Sequence, residues 1–174
     1  MDVTAAAVPR SPVDFRIEPA TERDVPLILQ FIKGLAEYEH LADRVCATED
    51  GLRASLFGPD AGAEVVIAYA ESEPAGFALF FHNYSTFLGQ RGLYLEDLFV
   101  LPQWRGRGAG RALLAHLARI AVERNCGRLE WAVLDWNMPA IRFYQSLGAR
   151  PMDDWTIYRL ADEALRQLAL NSRL

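Results

Sequence analysis

Between an apolar run and an amphipathic one the chain reads Pro102-Gln103-Trp104-Arg105-Gly106-Arg107-Gly108-Ala109-Gly110-Arg111, with arginines interleaved among glycines. Glycines in such a turn let main-chain amides face inward and approach a ligand closely, and the start of a following helix adds partial positive charge there. The chemistry this suits is the holding of a phosphate or diphosphate. A P-loop requires Lys and then Ser or Thr after its last glycine, where this chain has Arg111 and Ala112. A dinucleotide fingerprint wants glycine where Arg111 stands, although Asp135 after the next apolar run imitates a ribose-binding acid. A third pattern, Arg-x-x-Gly-x-Gly, is met by Arg105, Gly108 and Gly110. Glycines also make tight turns without any ligand; a strand before, a helix after and the arginines between favour the binding role.

The surrounding elements are what must hold that turn in place. Phe15 to Pro19 predicts a strand, and Thr21 with Asp24 three residues on signals the start of a helix over 24–39, whose Leu27, Ile28, Phe31, Ile32 and Leu35 share one face. A shorter helix is expected over 48–57, then a hairpin of 64–70 and 75–83 around Ser72, Glu73 and Pro74. Strand 93–101, helix 109–124 and strand 129–134 form a β-α-β unit with parallel strands. A short helix over 139–147, a last strand over 155–160 and a helical tail complete the chain. Hairpins followed by a β-α-β unit predict an α/β fold, a mixed sheet with helices on both faces. Residues 1–13, with Pro9, Ser11 and Pro12 among alanines, predict a flexible leader before one domain over 14–174.

With 174 residues, 51% hydrophobic and 24% charged, the composition fits one globular domain and excludes a disordered or fibrous chain. A net charge of -5 disfavours nucleic acid and anionic membranes and favours cationic ligands. Cys46 and Cys126 lack the spacing of a zinc site or a disulfide framework and are expected to be buried thiols, so no metal is expected. The Ala5 to Val8 stretch is too short for a signal-peptide core and no run reaches the length of a membrane span, which makes the cytoplasm the default location.

The glycine turn, Tyr94-Leu95-Glu96-Asp97-Leu98-Phe99-Val100 before it and Trp136-Asn137-Met138-Pro139-Ala140-Ile141-Arg142-Phe143-Tyr144 after it occur in an order that resembles the GNAT acetyltransferase superfamily. Within it the chain looks like the diamine (spermidine/spermine and thialysine) acetyltransferase branch, over almost its whole length. The resemblance implies a single-domain GNAT-like sheet of about seven strands and direct transfer of acetyl from acetyl-CoA to a primary amine of a small molecule, a polyamine or lysine-like amino acid. It also implies a homodimer. A non-catalytic acyl-CoA sensor or docking module is the alternative.

Such a transfer needs an uncharged amine, and an alkylamine with pKa near ~10 must first lose a proton. By the resemblance Glu96 takes it, directly or through water, and Tyr144 protonates the departing thiolate. Adjacent strand residues face opposite ways, so Glu96 and Asp97 share a site only if the strand bulges, and one of them is expected to be structural. The family's strand does bulge there, which places Leu98, Phe99 and Val100 along the coenzyme. Arg105, Gly106, Arg107, Gly108, Ala109, Gly110 and Arg111 are then the diphosphate turn, and Asn137, Pro139 and Ala140 the motif beside the coenzyme arm. Tyr38 and Glu39 match a substrate-contacting Tyr-Glu pair. Asp153, Asp154 and Trp155 form either an acidic, aromatic wall for a cation or a charged turn.

Overall fold

A computed structural model describes residues 13–171. The expected leader lies outside the described residues save for Val13. The described residues gather into two compact units that divide between Ala132 and Val133.

The first unit is built on one sheet of five strands, β1 (Phe15–Pro19), β2 (Glu64–Ala70), β3 (Glu73–Ser85), β4 (Gln90–Val100) and β5 (Leu129–Trp131), in that spatial order. The first four pair antiparallel. β4 and β5 pair parallel, as a crossover through the helix α3 (Ala109–Glu123) requires. The sheet is therefore mixed as expected, with five strands among the described residues rather than about seven.

Both sheet faces are covered, because strand residues alternate sides and both sets are apolar. On one side α1 (Val25–Tyr38) and α2 (Glu49–Phe57) bring Ile28, Phe31 and Leu56 against Val65, Ile67, Phe77 and Phe99. The rings of Phe31 and Phe77 stack at 5.2 Å. The intervening residues Val66, Ala68, Ala78 and Phe80 are buried too, as are Leu113, Leu114 and Leu117 of α3. Arg124, just past α3, ties this helix to β2 by a two-pronged contact with the Glu64 carboxylate and holds that carboxyl below its usual range.

Local chemistry sets the ends of α1. The Asp24 carboxylate accepts from the Thr21 N–H at 2.7 Å and from its hydroxyl at 2.8 Å, fixing a 3-10 turn that runs into the helix. At the other end His40 adopts φ 60°. There the Leu41 N–H reaches the Ala36 carbonyl at 2.8 Å and the His40 N–H reaches Glu37 at 3.2 Å. This is the doubly bonded helix stop usually made by glycine, here made by histidine. It fixes the direction in which Tyr38 and Glu39 leave the helix.

β4 departs from regular pairing at one point. Asp97 lies opposite Leu79 and Leu95 opposite Phe80, so Glu96 is an extra residue without a partner on β3. The β5 ladder stops at the Leu95–Trp131 pair, next to that insertion. The strand expected over 129–134 therefore ends at Trp131, because a bulge bends and twists the strand that carries it out of register.

The second unit holds α4 (Met138–Ser146) and α5 (Asp162–Asn171). The stretch expected as a strand over 155–160 forms no ladder among the described residues, and Ile157 and Tyr158 are 76% and 91% exposed. Alternating apolar residues make a strand possible, but a ladder needs a partner backbone. Among the described residues no helix is long and apolar enough to cross a membrane. Cys46 is exposed and Cys126 partly so, against the expectation of two sealed thiols.

The β3–β4 contact is close enough to be tested at one residue. A Cβ at Gly76 would stand 2.4 Å from the Phe99 carbonyl oxygen and 3.0 Å from the Val100 Cα. Main chain in a central ladder cannot move aside, so Gly76→Ala is expected to destabilise the fold by about 1–3 kcal/mol or more. A urea midpoint equal to that of the unsubstituted chain would contradict this packing.

Candidate active site

The glycine turn forms as the end of β4 passes through a single 3-10 turn, Pro102–Trp104, into α3. Gly106 has φ 68° and Gly108, the residue before the helix, φ 101°. Among the described residues, no atom beyond the adjoining ones in the chain lies within 4 Å of where their side chains would begin. Glycine is therefore demanded there by the left-handed backbone and not by crowding. The Ala112 N–H makes the first helical bond, to the Gly108 carbonyl at 2.9 Å, while the amides of Gly106 to Arg111 have no main-chain hydrogen-bond partner among the described residues. A run of free N–H groups at the positive end of a helix is a site for an anion, and its length suits a diphosphate.

The three arginines of the turn differ in what they do. Arg105 donates from Nε to the Val100 carbonyl at 2.9 Å and lays its guanidinium 4.6 Å from the centre of the Tyr38 ring and 5.5 Å from that of Phe99. Arg107 lies 4.7 Å over the Trp104 ring, and that ring meets Phe15 edge-on. Arg111 is exposed in the first turn of α3.

The inserted residue in β4 decides the carboxylates. Alternation alone puts Glu96 and Asp97 on opposite faces, but the extra residue lets both lie on the face that carries Phe99 and Leu79, toward α1. Glu96 is exposed. Asp97 is mostly buried, and desolvation, followed by the charges of Glu96 and Glu39, pushes its pKa up to about 6. Burial likewise raises the Glu39 carboxyl. Glu39 and Tyr38 at the end of α1 are thus brought toward Glu96, Asp97 and the glycine turn, which joins residues far apart in the chain. Among the described residues no group of three or more acidic, histidine or cysteine side chains stands ready to hold a metal.

Leu98, Phe99 and Val100 follow the insertion. The Phe99 ring is 5% exposed within the α1-side core, so only its main chain is available to a ligand. From Glu96 to Val100, β4 pairs with β3 alone among the described residues, which leaves its other edge outside any ladder.

The remaining expected residues lie in the second unit. Asn137 caps α4 by accepting from the Ala140 N–H at 3.3 Å, with Pro139 in the first turn. Tyr144 packs its ring against Phe143 with centres 5.4 Å apart. Asp153 and Asp154 form an exposed turn, and Trp155 is exposed beside them.

The bulge in β4 is as the resemblance implied, and two features of the site go beyond the sequence-based expectations. Asp97 stands out only once its burial is known, since nothing in its residue type separates it from Glu96. Gly34 is the other: a Cβ there would meet the Phe99 ring at 2.9 Å, so its absence lets α1 settle on β4. A glycine in the middle of an apolar helix is the signal that marks such an approach.

The sequence profile of the Acetyltransferase (GNAT) family matches residues 32–149. The thialysine N-epsilon-acetyltransferase of Bos taurus is 38% identical over 164 residues, covering 88% of this chain and 96% of that protein. The L-ornithine N5-acetyltransferase of Arabidopsis thaliana is 32% identical over 198 residues, covering 88% and 87%. Among solved structures, an integron cassette protein from the mobile metagenome of V. cholerae superposes with a TM-score of 0.75 at 30% identity, covering 89% of this chain and 97% of its own.

The environment of Asp97 gives a measurable dependence on pH. Its folded carboxyl holds a proton more tightly than the ordinary value of 3.8, so folding stability is greatest while the proton is retained and falls as pH rises toward about 6. Asp97→Asn is therefore expected to stabilise the fold at pH 7–8 by up to ~3 kcal/mol and to lose that advantage below about pH 4. Unfolding curves whose difference stays constant across this range would refute the assignment.

Proposed function

The chain belongs to the GNAT acetyltransferase family and is an acetyl-CoA-dependent N-acetyltransferase, and from that premise we propose that its acceptor is a primary amine of a small cationic molecule, a polyamine or a lysine-like amino acid. The observation that carries this reading is the gathering of Glu39, Glu96 and Asp97 beside Tyr38, on the sheet edge that leads into the glycine turn. Carboxylates there attract an ammonium, and a tyrosine ring offers its face to one. Thialysine and ornithine, the substrates in the names of similar proteins, are amines of this kind.

In this proposal the free amides from Gly106 to Arg111 hold the coenzyme diphosphate, with Arg107 and Arg111 adding charge. The coenzyme arm runs beside Leu98, Phe99 and Val100, where a main-chain donor stabilises the oxygen that develops negative charge. Asn137, Pro139 and Ala140 are assigned to coenzyme binding as well. Glu96 accepts a proton from the bound ammonium, directly or through water, and the freed nitrogen attacks the thioester carbonyl, forming the carbon–nitrogen bond. The carbon–sulfur bond breaks, the Tyr144 phenol protonates the leaving thiolate, and the second proton of the attacking nitrogen, lost as the amide forms, restores the phenol. Tyr38, Glu39, Asp153, Asp154 and Trp155 contact the acceptor.

Asp97 joins Glu96 in this scheme. Because it retains a proton up to about pH 6, the pair is spared part of the repulsion between two adjacent charges. A cation arriving beside them favours its ionisation, so acceptor binding and proton release are linked. A homodimer, expected from the family likeness, is part of the proposal.

Removing only the proton donor tests the chemistry. Tyr144→Phe is expected to lower kcat by a factor of about 10²–10⁴ while the Kd for CoA, measured by calorimetry, stays within about twofold. Release of thiol from acetyl-CoA across a panel of polyamines and diamino acids checks the acceptor class. Undiminished turnover in the variant removes Tyr144 from the role, and an intact chain without measurable affinity for CoA overturns the whole scheme.

A further inference from the structure

Arg105 heads the glycine turn, yet its side chain is turned away from the free amides and onto the first helix. Three contacts hold it: the Val100 carbonyl at 2.9 Å, the Tyr38 ring at 4.6 Å and the Phe99 ring at 5.5 Å. A guanidinium that left this place to meet a phosphate would give up all three. The main-chain amides from Gly106 to Arg111 have no such commitments.

We propose that Arg105 is a positioning residue for the acceptor amine, bracing Tyr38 and Glu39 against the coenzyme turn, and that its side chain does not hold the diphosphate. The proposal rests on the acceptor role given above to Tyr38 and Glu39. The brace begins at Gly34, where the missing side chain lets the Phe99 ring sit against α1. Tyr38 lies one turn further along the same helix face, four residues on. The guanidinium then closes the gap between Tyr38 and the Phe99 ring, with its Nε anchored on β4 main chain. Beyond Tyr38 the helix stops sharply at His40, so the direction of Glu39 follows that of Tyr38. A planar guanidinium suits this place because it stacks on rings and donates sideways at once, whereas a lysine ammonium is a point charge.

The consequence is a split between the two substrates. Arg105→Met keeps an unbranched stem and removes the stacking cation. It is expected to raise KM for the amine by roughly 5–30-fold, the range of a cation–π contact of about 1–2 kcal/mol. The Kd for CoA by calorimetry is expected to move by less than about threefold. Tyr38→Leu is expected to raise amine KM similarly, and the double variant to be no worse than the poorer single one, because the arginine acts through the ring. Tyr38→Phe keeps the ring face and is expected to retain most of the acceptor affinity.

A tenfold or greater weakening of CoA binding in Arg105→Met with unchanged amine KM would overturn the inference in favour of a phosphate contact. So would effects of Arg105→Met and Tyr38→Leu that multiply, or a Tyr38→Phe variant as impaired as Tyr38→Leu. Failure of the underlying reading looks different: the unsubstituted chain itself would then release no thiol with any amine, and this inference would fall with it.

Discussion

One inserted residue in β4 governs what this sheet can do. A regular strand would separate Glu96 from Asp97 and continue the ladder to β5 past Trp131. With Glu96 inserted, Asp97 falls opposite Leu79 on the α1 side with the Glu96 charge acting on it, and the parallel pairing ends beside them. The strand is held internally as far as Leu95 and from one side only beyond it. A backbone irregularity of this kind is found where a side chain must be re-aimed or pairing stopped, and here it does both.

The glycine turn and the end of α1 are fitted to that irregularity from opposite directions. α1 reaches β4 because Gly34 has no side chain, and it stops at Tyr38 and Glu39 because His40 takes a left-handed backbone. The turn begins where β4 ends, and Arg105 spans the two. Three carboxylates then act on one another at one end of this arrangement, and a run of unbonded amides stands at the other. Acidic side chains and main-chain N–H groups set up fields of opposite sign on this one unit.

Much of this was legible from residue types. Apolar periodicity placed α1, α2, α3 and the hairpin of β2 and β3 to within a few residues, because each buries a continuous apolar face. The turn from Arg105 to Arg111 was legible because glycines between a strand and a helix have few other uses, and the flanking motifs extended it to a family. The resemblance implied the bulge, but spacing did not reveal that Asp97 is the carboxylate turned toward α1, since an insertion leaves no mark on alternation until the partner strand is known. Nor did it reveal the seat of Arg105, because charge suggests a phosphate and only tertiary contact shows the rings beneath it. The stretch 155–160 shows the converse error: its pattern is that of a strand, but pattern does not supply a neighbour.

Among the described residues, the half of β4 beyond the insertion is, in bonding terms, an edge. Edges of open sheets are where separate chains add to one another and begin to aggregate, and proteins guard them with twist and with charge. β4 carries both guards at one point, the twist of the bulge and the carboxylates of Glu96 and Asp97. The two carboxylates thus guard against strand addition, and a substitution that made this stretch smooth and apolar would expose a template for fibrous assembly.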